Sequence, residues 1–234
     1  MKYLSRSSAG EQIRSLILLV ALIILILTSA GTTDNPSVKL FAGIFYSVVF
    51  CVAAYLIGAR RRWLIAYLAL AIPALPIRIS LELFDIPMEL ALTNAFLSGG
   101  LQLMMIYLVF HFSLFEWGAS KLDRIFAGIC GYLILALFWA TLYEVHEILN
   151  PGGFASSRDS QVGATDGSLL YFSLVTLSTL GYGDISPITA QTRVLSALEA
   201  VTGTLYLAVF VSALVSGLHQ RRQPEDTDLT KNFS

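Results

Sequence analysis

The chain has 234 residues, of which 56% are hydrophobic and only 13% are charged. Soluble domains carry about 25% charged residues, so this composition predicts a protein whose solvent is lipid. The formal net charge of −1 gives no reason to expect a nucleic-acid partner. Cys51 and Cys130 both lie inside apolar runs, which indicates small buried hydrophobes and not a disulfide or a metal pair.

The first apolar segment, residues 13–30, follows a basic start and allows two interpretations. Residues 16–27 are almost purely aliphatic, which suits a membrane helix. The run is short, however, and Ser29-Ala30 could end at a cleavage site, as in a signal peptide. We favour the helix because the polar lead before it is long for a signal peptide.

Five further apolar segments follow, and about 20 residues suffice to cross a bilayer core. They cover residues 38–59, 63–80, 90–114, 122–147 and 190–217. Pro73 and Pro76 remove backbone donors from the third segment and predict a kink there. The fourth segment carries Asn94, Ser98 and Gln102, for which helix packing is the safer interpretation and ligand binding the alternative. It contains no arginine or lysine, so we expect no strong voltage dependence from it.

Basic residues lie beside alternate ends of these segments. They occur in the amino terminus, at residues 60–62, at Lys121 and Arg124, and at residues 221–222. The intervening loops near 31–39, 78–90 and 148–165 carry fewer basic residues and more acidic ones. By the positive-inside rule, both termini are cytoplasmic and the loop before the last segment faces outside.

That last loop contains the most informative stretch of the chain. Residues 176–184 have the sequence Thr-Leu-Ser-Thr-Leu-Gly-Tyr-Gly-Asp. Gly181 and Gly183 lack a Cβ and therefore adopt conformations that other residues avoid. In an alternating chain this lets successive carbonyl groups face one axis. Copies of such a strand around that axis would form cages of oxygen atoms for a cation.

The stretch resembles the potassium-channel signature Thr-Val-Gly-Tyr-Gly-Asp, with leucine at the position of the usual valine or isoleucine. The corresponding filter residues are Thr179, Leu180, Gly181, Tyr182, Gly183 and Asp184. The resemblance implies that the first four offer carbonyl oxygens, and Thr179 its hydroxyl, to dehydrated potassium ions, which are the only cofactor we expect. One such loop per chain cannot close a fourfold cage, so the resemblance also implies a homotetramer.

The residues before the filter predict a pore helix over 169–178, with Asp166 or Ser168 as its cap. Matching to the two-helix bacterial potassium channels places Tyr171 and Phe172 at the tryptophan pair around the filter. The Tyr182 ring should then face outward, into a cuff of pore-helix aromatics.

The same match predicts two contacts behind the filter. Thr176 should reach the Tyr182 hydroxyl, and Tyr171 should reach Asp184. Val175 occupies the position of a glutamate in those channels, so a carboxyl–carboxylate pair is missing here. Ordinary core packing explains the aromatic pair and Val175 equally well.

The last segment carries three further candidate features. Gly203 has the spacing of the family's inner-helix hinge glycine, although glycine is common in membrane helices anyway. Residues at helical spacing on one face should line the lower pore or, alternatively, pack on the fifth helix; they are Thr204, Leu207, Val211 and Val215. Glu199 should lie behind the base of the filter and contact the pore helix, unless it is solvated at the outer mouth.

At the end of the fifth segment, His146 lies between Glu144 and Glu147. These side chains could form a metal or proton site. A solvated helix end is the interpretation that we favour.

Together these patterns predict an all-α membrane protein with six transmembrane helices and a re-entrant pore helix and filter between the last two. Residues 1–117 would form a four-helix domain without voltage-sensor arginines, residues 118–218 the pore domain, and residues 219–234 a short cytoplasmic tail. Because that tail is short, we expect no soluble ligand-binding domain. The expected partners are the bilayer and three further copies of the chain.

The resemblance implies a passive potassium channel in a prokaryotic inner membrane. The alternatives are a potassium transporter subunit and a non-conducting membrane subunit that keeps the pore fold. An intramembrane enzyme is disfavoured because the sequence shows no nucleophile–base or metal-ligand constellation.

Overall fold

The computed structural model describes residues 8–30, 43–49, 61–83, 87–115, 120–156 and 167–219. Its elements in chain order are α1 (Ser8–Ala30), α2 (residues 43–49), α3 (Arg61–Leu83), α4 (Met88–Phe115), α5 (Lys121–Leu149), β1 (Phe154–Ser156), α6 (Ser168–Leu177), β2 (Ile185–Pro187) and α7 (Ala190–His219). The predictions on Cys51, Asp166 and the tail beyond residue 219 lie outside the described residues. So do most of the second predicted span and the side chain of Val215.

Three helices in the described part of the chain are long and apolar enough to cross a membrane. They cover Met88–Ser113, Leu122–Leu149 and Ala190–Ala213, within α4, α5 and α7. Shorter apolar stretches run over Ser15–Ser29 in α1 and Ile65–Ile77 in α3. The chain is therefore a multi-pass membrane protein, and the count of six spans stays a prediction. Helix α3 continues through Pro73 and Pro76 as one segment.

Helix α5 joins the front helices to the pore elements. One apolar cluster contains Leu22 of α1, Tyr67 of α3, Met105 of α4, Ile134 of α5 and Leu170 of α6. Because lipid is as apolar as these side chains, their van der Waals contacts, and not the hydrophobic effect, favour this packing. The front helices thus pack on the pore segment of their own chain.

A short two-stranded ribbon corrects the prediction of a purely α-helical fold. Strands β1 and β2 are antiparallel, and Phe154 pairs with Pro187, Ala155 with Ser186 and Ser156 with Ile185. Three-residue strands are too short to show an alternating pattern, so no periodicity predicted them. Because β1 precedes α6 and β2 follows the filter, the ribbon brings together the two ends of the segment that contains α6 and the filter. The loop therefore enters and leaves at the same end, as a re-entrant segment must.

Candidate selectivity filter

The backbone φ angle alternates in sign along the predicted filter. Thr179, Gly181 and Gly183 have φ angles of 58°, 57° and 77°, whereas the residues between them do not have positive φ. Alternation of this kind turns successive carbonyl groups toward the same side. Thr179 is also the one non-glycine residue with positive φ in the described part of the chain. Such a conformation costs a β-branched residue on the order of 1–3 kcal/mol, and strain of this kind concentrates at functional sites.

The inner end of the filter is tied to α6 through amide groups. Thr179 N donates to Thr176 O and Leu180 N donates to Val175 O, both over 2.9 Å. The carbonyl oxygens of residues 179–182, in contrast, accept no hydrogen bond from any described residue. Backbone acceptors are normally paired. The filter strand thus uses its donors for anchoring and leaves a row of acceptors free for a cation.

The outer end of the filter is held by a carboxylate. Tyr171 Oη donates to Asp184 Oδ2 over 2.7 Å, and Ile185 N donates to Asp184 Oδ1 over 3.1 Å. The contact between Tyr171 and Asp184 is one that the sequence predicted. It links the first half of the pore helix to the last residue of the filter.

The other predicted cuff residues pack differently. Phe172 is buried in an edge-to-face cluster, with its ring centroid 5.3 Å from that of Tyr143 and 5.0 Å from that of Phe154. Val175 is also buried, so core packing describes both residues within this chain. The Tyr182 side chain is 67% exposed, and its hydroxyl makes no hydrogen bond to Thr176 or to any other described residue. The expected cuff is thus not formed by the pore helix of the same chain.

The start of α6 differs from the predicted cap. The helix begins at Ser168, and Gly167 occupies the N-cap position with φ 76° and no side-chain hydrogen bond. Ser168 is therefore the first helical residue and not the cap. Glycine takes this left-handed conformation without a Cβ penalty, which allows the chain to turn directly into the helix.

The carboxyl end of α6 contacts both α5 and α7. Tyr132 Oη of α5 donates to Leu177 O over 2.9 Å. On the α7 side, a Cβ added to Gly203 would lie only 2.3 Å from the same Leu177 O. Gly203 therefore permits a close approach between α7 and the pore helix. Helix α7 continues through this residue, and the hinge role stays a prediction.

The predicted pore-lining stripe of α7 does not pack on α5. Thr204 and Leu207 are exposed, and Val211 is 55% exposed. The contact with α5 instead uses the next face, where Tyr206 Oη donates to Gly128 O over 2.7 Å. The alternative of packing on the fifth helix is therefore wrong for the described part of the stripe.

Small residues of α5 make room for the aromatic rings of α7. A Cβ added to Gly128 would lie 1.9 Å from the Phe210 ring, and one added to Gly131 would lie 2.4 Å from the Tyr206 hydroxyl. The sequence reasoning missed this interface. The available signal was the presence of two glycines within one turn of an apolar helix, because small residues are enriched where membrane helices approach closely.

Glu199 is fully buried, with 0% of its surface exposed. One carboxyl oxygen contacts Ser173 Oγ of the pore helix at 2.5 Å, and the other accepts a hydrogen bond from Tyr143 Oη of α5. The residue thus contacts α6, as predicted. The alternative of a solvated position at the outer mouth is wrong.

Glu147 is not the solvated side chain that we expected at this helix end. It is buried, and its carboxyl oxygens accept from Gly152 N over 2.9 Å and from Gly153 N over 2.6 Å. Thr192 Oγ1 of α7 donates to Gly153 O over 2.9 Å. No cluster of three metal-ligating side chains occurs among residues that the structure describes. Glu147 therefore shapes the turn that leads into β1.

Comparison with known proteins identifies the same region. Residues 129–220 match the family model described as "Ion channel". Two-pore potassium channel 4 of Arabidopsis thaliana is 35% identical over 88 residues, which cover 36% of this chain and 30% of the relative. Potassium voltage-gated channel subfamily A member 4 of Homo sapiens is 34% identical over 67 residues, covering 26% of this chain and 10% of the relative.

A bacterial relative is covered more fully. Protein LctB of Bacillus caldotenax is 31% identical over 100 residues, which cover 41% of this chain and 72% of that protein. The chain spans less than a third of the length of the plant and human relatives. No solved structure matches the chain. The filter geometry, the family model and these relatives agree that the chain belongs to the potassium channel family.

Proposed function

We propose that four copies of this chain form a potassium-selective pore that conducts ions passively through the filter of residues 179–184. The observation that carries the proposal is the alternation of φ at Thr179, Gly181 and Gly183, together with the free carbonyl oxygens of residues 179–182. These oxygens replace the hydration shell of a monovalent cation, so that the ion enters without a large desolvation cost.

The fourfold assembly is supported by what a single chain leaves uncovered. Leu180 is 55% exposed and Tyr182 is 67% exposed, although both lie beside the pore helix. Neighbouring exposed apolar side chains that form one patch are typical of an interaction site. A neighbouring copy supplies this cover, and its pore helix provides the aromatic cuff that the same chain does not form. The exposed pore-lining stripe of α7 then faces the axis.

In the same proposal, six spans cross a prokaryotic inner membrane, with both termini in the cytoplasm and Asp184 outside. Helix α1 is the first of these spans in the proposal, which the burial of Leu22 in the cluster with α5 supports. Helix α4 has no arginine or lysine to move in the field, so opening is not strongly voltage-dependent. A current that rises steeply with voltage and needs residues 1–115 would contradict this part.

Flux into liposomes tests the proposal. Purified protein should pass potassium down its gradient, exclude sodium and be blocked by barium, and the purified assembly should have four times the chain mass. Flux that requires a proton or sodium gradient would identify a transporter subunit instead. A folded tetramer without flux under varied pH, voltage and tension would identify a non-conducting subunit.

A further inference from the structure

The Glu199 carboxyl group of α7 lies in the interior of the protein, between α5 and α6. Tyr143 of α5 directs its hydroxyl to Oε2, and Ser173 Oγ of α6 lies 2.5 Å from Oε1. The same Ser173 Oγ lies 2.8 Å from Ala136 O of α5. A single carboxyl group of α7 therefore connects this helix to α5 and to the pore helix α6.

A count of protons shows which form of Glu199 fits these contacts. Three close oxygen–oxygen contacts need three hydrogens, because two lone pairs that face each other repel. Tyr143 and Ser173 supply one hydroxyl hydrogen each, and Ala136 O is an acceptor only. An ionised carboxylate supplies none, so one contact would be left without a hydrogen. A protonated Glu199 supplies the third: its Oε1–H donates to Ser173 Oγ, and Ser173 donates to Ala136 O.

No positively charged side chain of a described residue lies within 4 Å of the Glu199 carboxyl group. The ion pair found among those residues joins His146 to Glu147. Arg193 of the same helix is exposed and donates to Pro187 O. The ionisable groups that interact with Glu199 from α5 are Tyr143 and Tyr132, and α6 presents the Ser173 hydroxyl. An unpaired charge inside a membrane protein is costly.

Glu147 shows the opposite environment in the same protein. Its two carboxyl oxygens accept from the backbone N–H groups of Gly152 and Gly153. Two donors that face two acceptor oxygens leave no place that needs a carboxyl proton. The two buried glutamates therefore form a matched pair, one among hydroxyl groups and the other among amide donors.

We propose that Glu199 is kept in its neutral, protonated form and acts as a positioning residue that fastens the pore helix to α5 and α7. Ser173 lies on the helix whose next residues hold the filter, because Val175 O and Thr176 O accept from the amides of Leu180 and Thr179. Loss of the Glu199 proton removes one hydrogen bond from this connection and loosens α6. The functional consequence rests on the proposed channel activity, whereas the protonation itself does not.

Infrared difference spectroscopy tests the protonation directly. The spectrum of the wild-type protein minus that of Glu199→Gln at neutral pH should show the C=O band of a protonated carboxylic acid, which an ionised carboxylate lacks. Glutamine is a suitable replacement because its amide oxygen accepts from Tyr143 and its N–H donates to Ser173. The control difference with Glu147→Gln should show carboxylate bands and no acid band. Carboxylate bands in the Glu199→Gln difference would overturn the proposal, whether or not the protein conducts.

Potassium flux against pH tests the positioning role. The connection is complete below the titration of Glu199 and incomplete above it, so wild-type flux should fall on the order of tenfold as the pH rises through it. Glu199→Gln carries no titrating proton, and its flux should change by less than about twofold over the same range. An equal fall in both proteins would overturn the role, and so would a Glu199→Gln variant that folds as a tetramer and has lost conduction at neutral pH. Absence of flux in the wild type would instead count against the proposed function.

Discussion

Substitution of Gly203 by alanine tests whether close packing against the pore helix requires this glycine. The added Cβ would lie 2.3 Å from Leu177 O, 3.0 Å from Leu177 Cδ1 and 3.1 Å from Leu177 Cγ. The side-chain atoms can rotate aside, but the carbonyl oxygen belongs to the backbone of α6 and also accepts from Tyr132 Oη. Helix α7 must therefore move away from α6.

The size of this movement follows from the distances. An ordinary contact begins at 3.4 Å, so α7 has to move by about 1 Å. Overpacking of a well-filled interior costs about 1–3 kcal/mol. Replacement of a helical glycine by alanine returns about 0.5–1 kcal/mol. The net loss is about 1 kcal/mol at the middle of these ranges. The same shift one turn earlier would lengthen the 2.5 Å contact between Ser173 and Glu199 to the limit of a hydrogen bond.

The assay compares thermal unfolding and potassium flux of Gly203→Ala with those of Gly100→Ala. Gly100 lies within the apolar helix α4, and a Cβ there would meet no atom within 4 Å. The control should unfold at the wild-type temperature or slightly above it, whereas Gly203→Ala should unfold below it and conduct less. If Gly203 were a hinge alone, Gly203→Ala would be as stable as the control and differ only in opening. Equal unfolding temperatures would therefore refute the packing argument.

Three other substitutions test separate contacts. Tyr171→Phe removes the 2.7 Å bond to Asp184, which costs about 0.5–1.5 kcal/mol, and should lower the ratio of potassium to sodium flux; an unchanged ratio would contradict the role of this bond. Gly183→Ala forces alanine to a φ of 77°, at a cost of about 1–2 kcal/mol, and should abolish flux, while Gly152→Ala carries similar strain at φ 88° outside the filter and should keep it. Gln102→Leu loses the bonds that connect α4 to α5 and should lower the unfolding temperature by the equivalent of about 1 kcal/mol, which a calorimetric scan would detect.

The sequence was informative where a local pattern carries the structure. The glycine pair at Gly181 and Gly183 indicates positive φ without any tertiary information, since glycine is the residue that adopts it at no steric cost. The lengths of α4, α5 and α7 follow from their apolar runs in the same way. These signals lie within single segments, so composition and spacing were sufficient.

Features that depend on two distant segments were not predictable. Phe154 and Pro187 pair across the pore loop, and neither strand is long enough to have a period of its own. The proximity of Gly128 to the Phe210 ring requires the relative position of two helices. Thr179 was predicted as a hydroxyl ligand, but its positive φ was not, because threonine seldom adopts that conformation. In each case the tertiary arrangement decides what the local sequence leaves open.

The contacts of α5 indicate how the front helices can act on the filter. Tyr132, Ala136 and Tyr143 lie on one stripe of this helix, about 16 Å long. They form hydrogen bonds with Leu177 O, Ser173 Oγ and the Glu199 carboxyl group, respectively, and these bonds position α6. Leu137 and Thr141, which bind Gln102 of α4, lie about 140° around the same helix.

Because a helix transmits displacement as a rigid element, a rotation of α5 driven by α4 would move all three pore-side contacts at once. A stimulus that is sensed by the front helices therefore needs no direct contact with the filter. The rotation of α5 only has to displace its hydrogen-bonding atoms by a few tenths of an ångström. A displacement of that size is enough to break a hydrogen bond.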